Sequence, residues 1–465
     1  MMAGTMDALV PIWHAAGLPA QTLQQVALTG HEPVLPSSFA VGTAAQTTLA
    51  AAALAATELG HHRNGLRQQV QVAMRDAALE CCGYFTIDGR APEVWDKIAG
   101  LYPCQDGGWV RLHTNFAHHR DGVLRLLGLT LGTDTEREAV AAALQKWRAF
   151  DFEDAAAQAG LVVAALRSLD DWDQHPQSAA LARDPLVAIE KIGEAAPLVL
   201  PPLPLDARPL TGLRVLELTR ILAGPVGGRT LAAYGADVLL VNAPHLPNIE
   251  AIIDTSRGKL SALADLRDAA GRAGLHAVLS DAHVFVQGYR PGALAALGFA
   301  PADVARARPG IVMVSLSAYG ESGPWASRRG FDSLVQTATG INHAEAQAAG
   351  SAQPKPLPMQ ILDMATGYLM AFGAQAAVMR QQREGGSWLV RVSLARTALW
   401  LRELGRVVGG FSAPRADFSG LLEPHASGHG ALLSMRHAAI FSHTTARWVR
   451  PSMPPGSHPL AWPAA

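Results

Sequence analysis

Four short stretches in the second half of the chain hold residues able to do chemistry. Gln360-Ile361-Leu362-Asp363-Met364-Ala365-Thr366-Gly367 sets one carboxylate after a short apolar run, at the start of a long helical tract. A carboxylate there can cap first-turn amides, and the positive end of the helix favours its ionised form. Gly288-Tyr289-Arg290-Pro291-Gly292 is a turn after a strand, with an arginine whose planar fork suits phosphate. Ser317-Ala318-Tyr319-Gly320-Glu321-Ser322-Gly323-Pro324 runs on to Arg328-Arg329-Gly330-Phe331-Asp332, a small-residue loop closing on two arginines that suit an anionic ligand. Gly224, Gly227 and Gly228 follow a strand and open a helix. Their spacing is not G-x-G-x-x-G, and Asn242, not an acid, ends the next strand, which disfavours a nicotinamide dehydrogenase.

These stretches need a scaffold, and the pattern supplies one. Leu213–Leu218, Val238–Val241, Ala277–Ser280 with Val284–Val286, and Ile311–Ser315 read as buried strands separated by helical tracts. The expected fold class is α/β: a Rossmann-like parallel sheet over 210–400, with a smaller α+β domain in the first 200 residues. A proline-rich stretch, Ala195–Pro209, lies between them, its last part, 201–209, taken as the linker, and 401–465 forms a C-terminal segment. In the first part, Thr47–Leu59, Glu136–Ala149 and Asp154–Leu169 read as helices. Gln69–Ala73 reads as a strand, and Gly107–Leu112 as a turn entering another. Thr43–Leu79 also aligns without gaps on Asp363–Leu399, the mark of a repeated building block in which Thr43 stands where Asp363 stands.

Bulk composition narrows the function. The 465 residues carry 38 Lys+Arg against 39 Asp+Glu, so no global field recruits nucleic acid or an anionic membrane. Three cysteines, Cys81, Cys82 and Cys104, make no disulfide framework and have no metal-ligand spacing. No metal site is expected. The longest apolar tract, Leu49–Ala56, is too short to span a bilayer and reads as a buried helix. The first residues lack a basic stretch followed by an apolar one, and the expected compartment is the cytoplasm. The histidine pairs His61-His62 and His118-His119 read as surface residues.

The motifs, in this order, resemble family III CoA-transferases, the CaiB/BaiF group: L-x-G-L-R-V-L-E-L-T-R-x-L-A-G-P (210–225), G-A-D-V (235–238), G-Y-R-P-G-A-L-x-x-L-G (288–298), S-A-Y-G-x-x-G-P (317–324), G-F-D-x-L-x-Q (330–336) and L-D-M-A-T-G (362–367). Segments 107–128 and 169–185 resemble the small domain that in the family follows the α/β half; here they precede it. The chain resembles a family member with a partial extra copy of its second half fused in front. The resemblance implies acyl transfer between CoA and a carboxylic acid, with Asp363 as nucleophile and CoA as substrate rather than resident cofactor. It implies CoA contacts at Leu222, Ala223, Arg267, Gly288, Tyr289, Arg290, Arg329, Gly330, Phe331 and Asp332. It also implies an acyl-CoA and an acid as partners, and a homodimer. Asn242 and Leu260 depart from the family pattern on the nucleotide side.

Two rivals stay within the fold. α-Methylacyl-CoA racemases resemble this group but carry histidine where this chain has Phe331, so a two-base proton transfer lacks a donor. A non-catalytic CoA-binding protein is the other.

Overall fold

The computed structural model describes residues 3–463. Seven strands form the main sheet: β1 (Ala188–Gly193), β2 (Arg214–Leu218), β3 (Asp237–Asn242), β4 (Leu260–Leu263), β5 (Val284–Gln287), β6 (Val312–Ser317) and β7 (Ser387–Ser393). Their spatial order is β4-β3-β2-β5-β6-β7-β1. β2 to β7 are parallel, and β1 closes one edge antiparallel to β7, with Ile189 opposite Val390. Both faces are covered, so β5 reads as an unbroken buried run, Val284-Phe285-Val286-Gln287. The chain winds outward from β2 through β3 and β4, then returns to the other flank of β2 at β5. The reversal opens a crevice between the carboxyl ends of β2 and β5, where open α/β sheets receive ligands.

Four helices place the site: α1 (Val41–Asn64), α2 (Ala223–Ala233), α3 (Asp332–Ala338) and α4 (Ile361–Glu384). α1 and α4 are apolar on all sides and buried along most of their length, as such helices must be. They lie against each other, and Gln375 Nε2 donates to the Ala52 carbonyl at 3.1 Å. α4 is long and apolar enough to cross a membrane, but its apolar stretch is wholly buried in the protein core.

The repeat is structural. At the sequence offset of 320 residues, Val41 falls on Ile361 and Asn64 on Glu384, the first and last residues of α1 and α4. The next elements, strand Val70–Ala73 and helix Met74–Glu80, fall on β7 and helix Leu394–Glu403. A parallel neighbour is reproduced as well: Val26–Thr29 lies beside Val70–Ala73 as β6 lies beside β7.

The parts do not follow one another as separate domains. β1 belongs to the first 200 residues yet edges the main sheet. Ala439–Phe441 completes the sheet of Val26–Thr29 and Val70–Ala73, and hairpin Leu422–His425/Leu432–Met435 takes up Phe85–Ile87. Open strand edges need partners, and the edges of β7, Val70–Ala73 and Phe85–Ile87 find theirs in the other half of the chain. The linker is irregular as expected but pinned, with Leu200 and Leu203 buried and Arg63 bonded to the Pro201 carbonyl. Three expected elements differ. The helix expected over Glu136–Ala149 spans only Arg137–Leu144, and Ala149 opens the next one. Ala277–Ser280 is the end of helix Ala269–Leu279, whose apolar face had mimicked a strand. Asp154–Leu169 is divided: helix Ala149–Gln158 stops before Gly160 (φ 71°), and the β-branched run then forms strand Val163–Ala165. That strand joins Gly100–Pro103 and Trp109–Leu112 in a small antiparallel sheet, which packs on α3.

Candidate active site

A cavity of ≈ 320 Å³ occupies the crevice. Its floor is the strand ends and the turns after them: Arg220 to Ala223 after β2, Gly288 to Arg290 after β5, and Ser317 at the end of β6. The turn after β2 is strained at the cavity wall, where β-branched Ile221 takes φ 74°. Arg220, Arg290, Arg328 and Arg329 line the space against one carboxylate, Asp363. Four cations facing one anion select an anionic ligand. Arg328 is partly neutralised by Glu153 at 3.4 Å.

Asp363 is the third residue of α4, with Gln360 at the cap position. It is therefore not the expected cap. Its backbone N–H donates to Asp332 Oδ2 at 2.9 Å. Asp332 heads α3, is fully buried, and also accepts from Gln336 Nε2. Burial disfavours the charged form and raises the pKa of both carboxyls. Asp332 is pushed up to about 6. Asp363 is pushed well above the usual carboxylate range by burial and then by the Asp332 charge. Two buried carboxylates at this separation hold one negative charge more readily than two. Asp363 is 8% exposed, and that exposure opens into the cavity.

The turn glycines are filled by protein, not ligand. A Cβ on Gly224 would meet the Thr219 side chain at 2.5 Å, and one on Gly228 would strike Glu217. Gly367, one turn beyond Asp363, faces the Ala223 carbonyl, where a Cβ would lie at 2.5 Å. These glycines let α2 and α4 approach closely enough to bring Asp363 over the turn after β2. Lys259, just before β4, is fully buried, paired with Glu217 of β2 at 2.8 Å and donating to the Pro225 carbonyl at 2.8 Å, which ties the start of β4 to the same turn.

Sequence reasoning missed the opposite wall. Phe116, His118, His119 and Val162, from the first half of the chain, face Asp363 across the cavity. The small sheet carries them there. Arg111 and His113, at the end of strand Trp109–Leu112, reach the loop before α3, and the His113 ring stacks on Phe331 at 4.0 Å between centroids. His119 is 5% exposed rather than a surface residue. The signal was present in the family-like segment 107–128, but its meeting with Phe331 is a tertiary contact. Of the expected CoA contacts, Leu222, Ala223, Gly288, Tyr289, Arg290, Arg329, Gly330 and Phe331 share this cavity. Two do not. Asp332 lies behind Asp363 as its support, and Arg267 is exposed and forked onto Asp265. Among the described residues no group of three or more His, Cys, Asp or Glu could hold a metal ion.

The model of the family described as CoA-transferase family III matches residues 9–202 and 210–405. The chain belongs to CoA-transferase family III. The two matched segments fit a family member carrying a repeated half. An acyl-CoA transferase of Gibberella moniliformis is 32% identical over 316 residues, 64% of this chain and 55% of that protein. A probable fatty acyl-CoA transferase of Mycobacterium tuberculosis, Rv3272, is 30% identical over 210 residues, 42% of this chain and 53% of that protein. Succinyl-CoA:glutarate CoA-transferase of Mus musculus is 31% identical over 195 residues, 39% of this chain and 44% of that protein. The family III chain thus spans about half the length of the curated relatives it matches. The crystal structure of Rv3272 covers 43% of this chain and 56% of its own, with 32% identity and a TM-score of 0.40, too low to compare geometry.

Proposed function

We propose that the protein is an acyl-CoA:carboxylate CoA-transferase in which Asp363 is the nucleophile. One observation carries the reading: a buried carboxylate at a helix N-terminus opens into an arginine-lined cavity at the sheet's switch point. Asp363 attacks the acyl thioester, forming an anhydride and releasing CoA thiolate. The thiolate attacks the aspartyl carbonyl, leaving an aspartyl-CoA thioester and the first acid. A second carboxylate then repeats the steps in reverse and leaves as its CoA ester. Arg290 and Arg329 suit the CoA phosphates. A second groove of ≈ 430 Å³, lined by Asn242, Pro247 and Leu263, shares Leu246 with the cavity, so a long ligand can run through both. The compartment proposed is the cytoplasm, and the family resemblance carries the proposal of a homodimer.

The test is trapping. Wild-type protein is incubated with acyl-CoAs and hydroxylamine, and peptides are weighed. A hydroxamate on Asp363 that requires acyl-CoA supports the reading; none with any donor, despite CoA binding, removes it in favour of a non-catalytic CoA-binding protein.

A further inference from the structure

We infer that His119, supplied by the first half of the chain, is a further catalytic residue: its imidazole N–H donates to the acyl oxygen as negative charge develops there. The inference rests on the transferase reading above and names the group that completes it.

A buried polar group ordinarily has a partner. His119 is 5% exposed, and neither ring nitrogen finds a hydrogen-bond partner in the protein. It lines the same cavity as Asp363. Its ring is held edge-on to Phe116 at 5.8 Å and to Phe331 at 6.3 Å between centroids, and sits 4.1 Å from that of His118. These contacts fix the ring and leave its polar edge free.

Charge decides which role the ring takes. The groups that bear on it are His118, Arg220 and Arg329, all cationic or able to become so, with Asp363 across the cavity. Burial and those cations hold His119 down to about 3. At neutral pH it is therefore a neutral imidazole and a weak base. A weak base is ill suited to removing an α-proton, as a racemase would require. A neutral imidazole still carries one N–H, and a fixed N–H in a dry site polarises a carbonyl.

The step balances without a proton changing hands. The Asp363 oxygen forms a bond to the thioester carbon, and the carbonyl π pair moves onto oxygen. His119 donates a hydrogen bond to that oxygen and keeps its proton. The pair returns, the C–S bond breaks, and CoA leaves as thiolate.

Three variants test it: His119→Phe keeps the bulk without the donor, His119→Gln keeps a donor, and His119→Ala removes both. The measurements are kcat and KM for exchange, CoA affinity by calorimetry, and hydroxylamine trapping at Asp363. His119→Phe is expected to lower kcat about 10²- to 10³-fold with CoA affinity unchanged, and His119→Gln to recover most of it. Trapping should slow in the same proportion. Wild-type kcat in His119→Phe overturns the assignment. So does a His119→Gln as slow as His119→Phe while both bind CoA normally, or His119-dependent exchange of the α-proton with deuterated water. If wild-type protein traps no hydroxamate, the transferase reading fails instead, and the two failures are distinguishable.

Discussion

The starts of α1 and α4 are the same piece of structure built twice, and the contrast that bears on the site falls at the third residue. In α4 the third residue is Asp363, whose N–H donates to buried Asp332. In α1 the third residue is Thr43, whose N–H donates to Glu32 Oε1 at 2.8 Å. Both copies therefore keep a carboxylate to receive the free amide of the first turn, which a helix end buried in a core requires. Only α4 has a carboxylate at that third position. The supporting acid is common to both copies, and under the proposed reading Asp363 is the one that does chemistry.

Removing Asp363 should have the largest effect. Asp363→Ala is expected to lower exchange on the order of 10⁴-fold or more, with the circular dichroism spectrum retained. Placing an acid in the other copy sharpens the contrast. Thr43 is 1% exposed, so Thr43→Asp buries a carboxyl without a cavity before it. It should cost about 3 kcal/mol in calorimetric unfolding and give no hydroxamate at position 43.

The supporting acids differ in what they do to pH. In the proposed mechanism Asp363 must ionise to attack, and the Asp332 charge opposes that ionisation. Exchange should rise with pH along an acidic limb above the ordinary carboxylate range, and Asp332→Asn should move that limb to lower pH. The stability sign is opposite to that of a salt-bridged acid. Both folded-state values lie above the unfolded one, so the folded form binds protons more tightly and loses stability as pH rises from about 4 through 6. Asp332→Asn should flatten that fall in urea melts at stepped pH. Glu32→Gln, which keeps an acceptor for the Thr43 amide, should show the smallest change, about 1 kcal/mol, with kcat unaltered.

The α/β half was legible because parallel strands and their turns are written locally. Arg214–Leu218 and Val312–Ser317 announce themselves by apolar runs, and Asp363 by its place at the start of a long helix. The repeat was legible because helix length and offset survive in the sequence. The far wall was not. His119 meets Phe331 only after the small sheet docks on α3, and no periodicity encodes that approach. Asp332 lay within a recognisable motif, but its role as support rather than ligand contact depends on which way the carboxylate turns. Arg267 lies outside this cavity, its guanidinium held by an aspartate two residues away, a pairing that the motif alone does not show.

The interwoven strands set a timetable. Val70–Ala73 and Phe85–Ile87 leave the ribosome early, yet their outer neighbours are Ala439–Phe441 and Leu432–Met435. At ordinary elongation rates the intervening stretch of about 350 residues takes roughly 20 to 70 s to synthesise. For that interval two strand edges stand open on the nascent chain, so these two sheets are completed only once residues 432–441 have been synthesised.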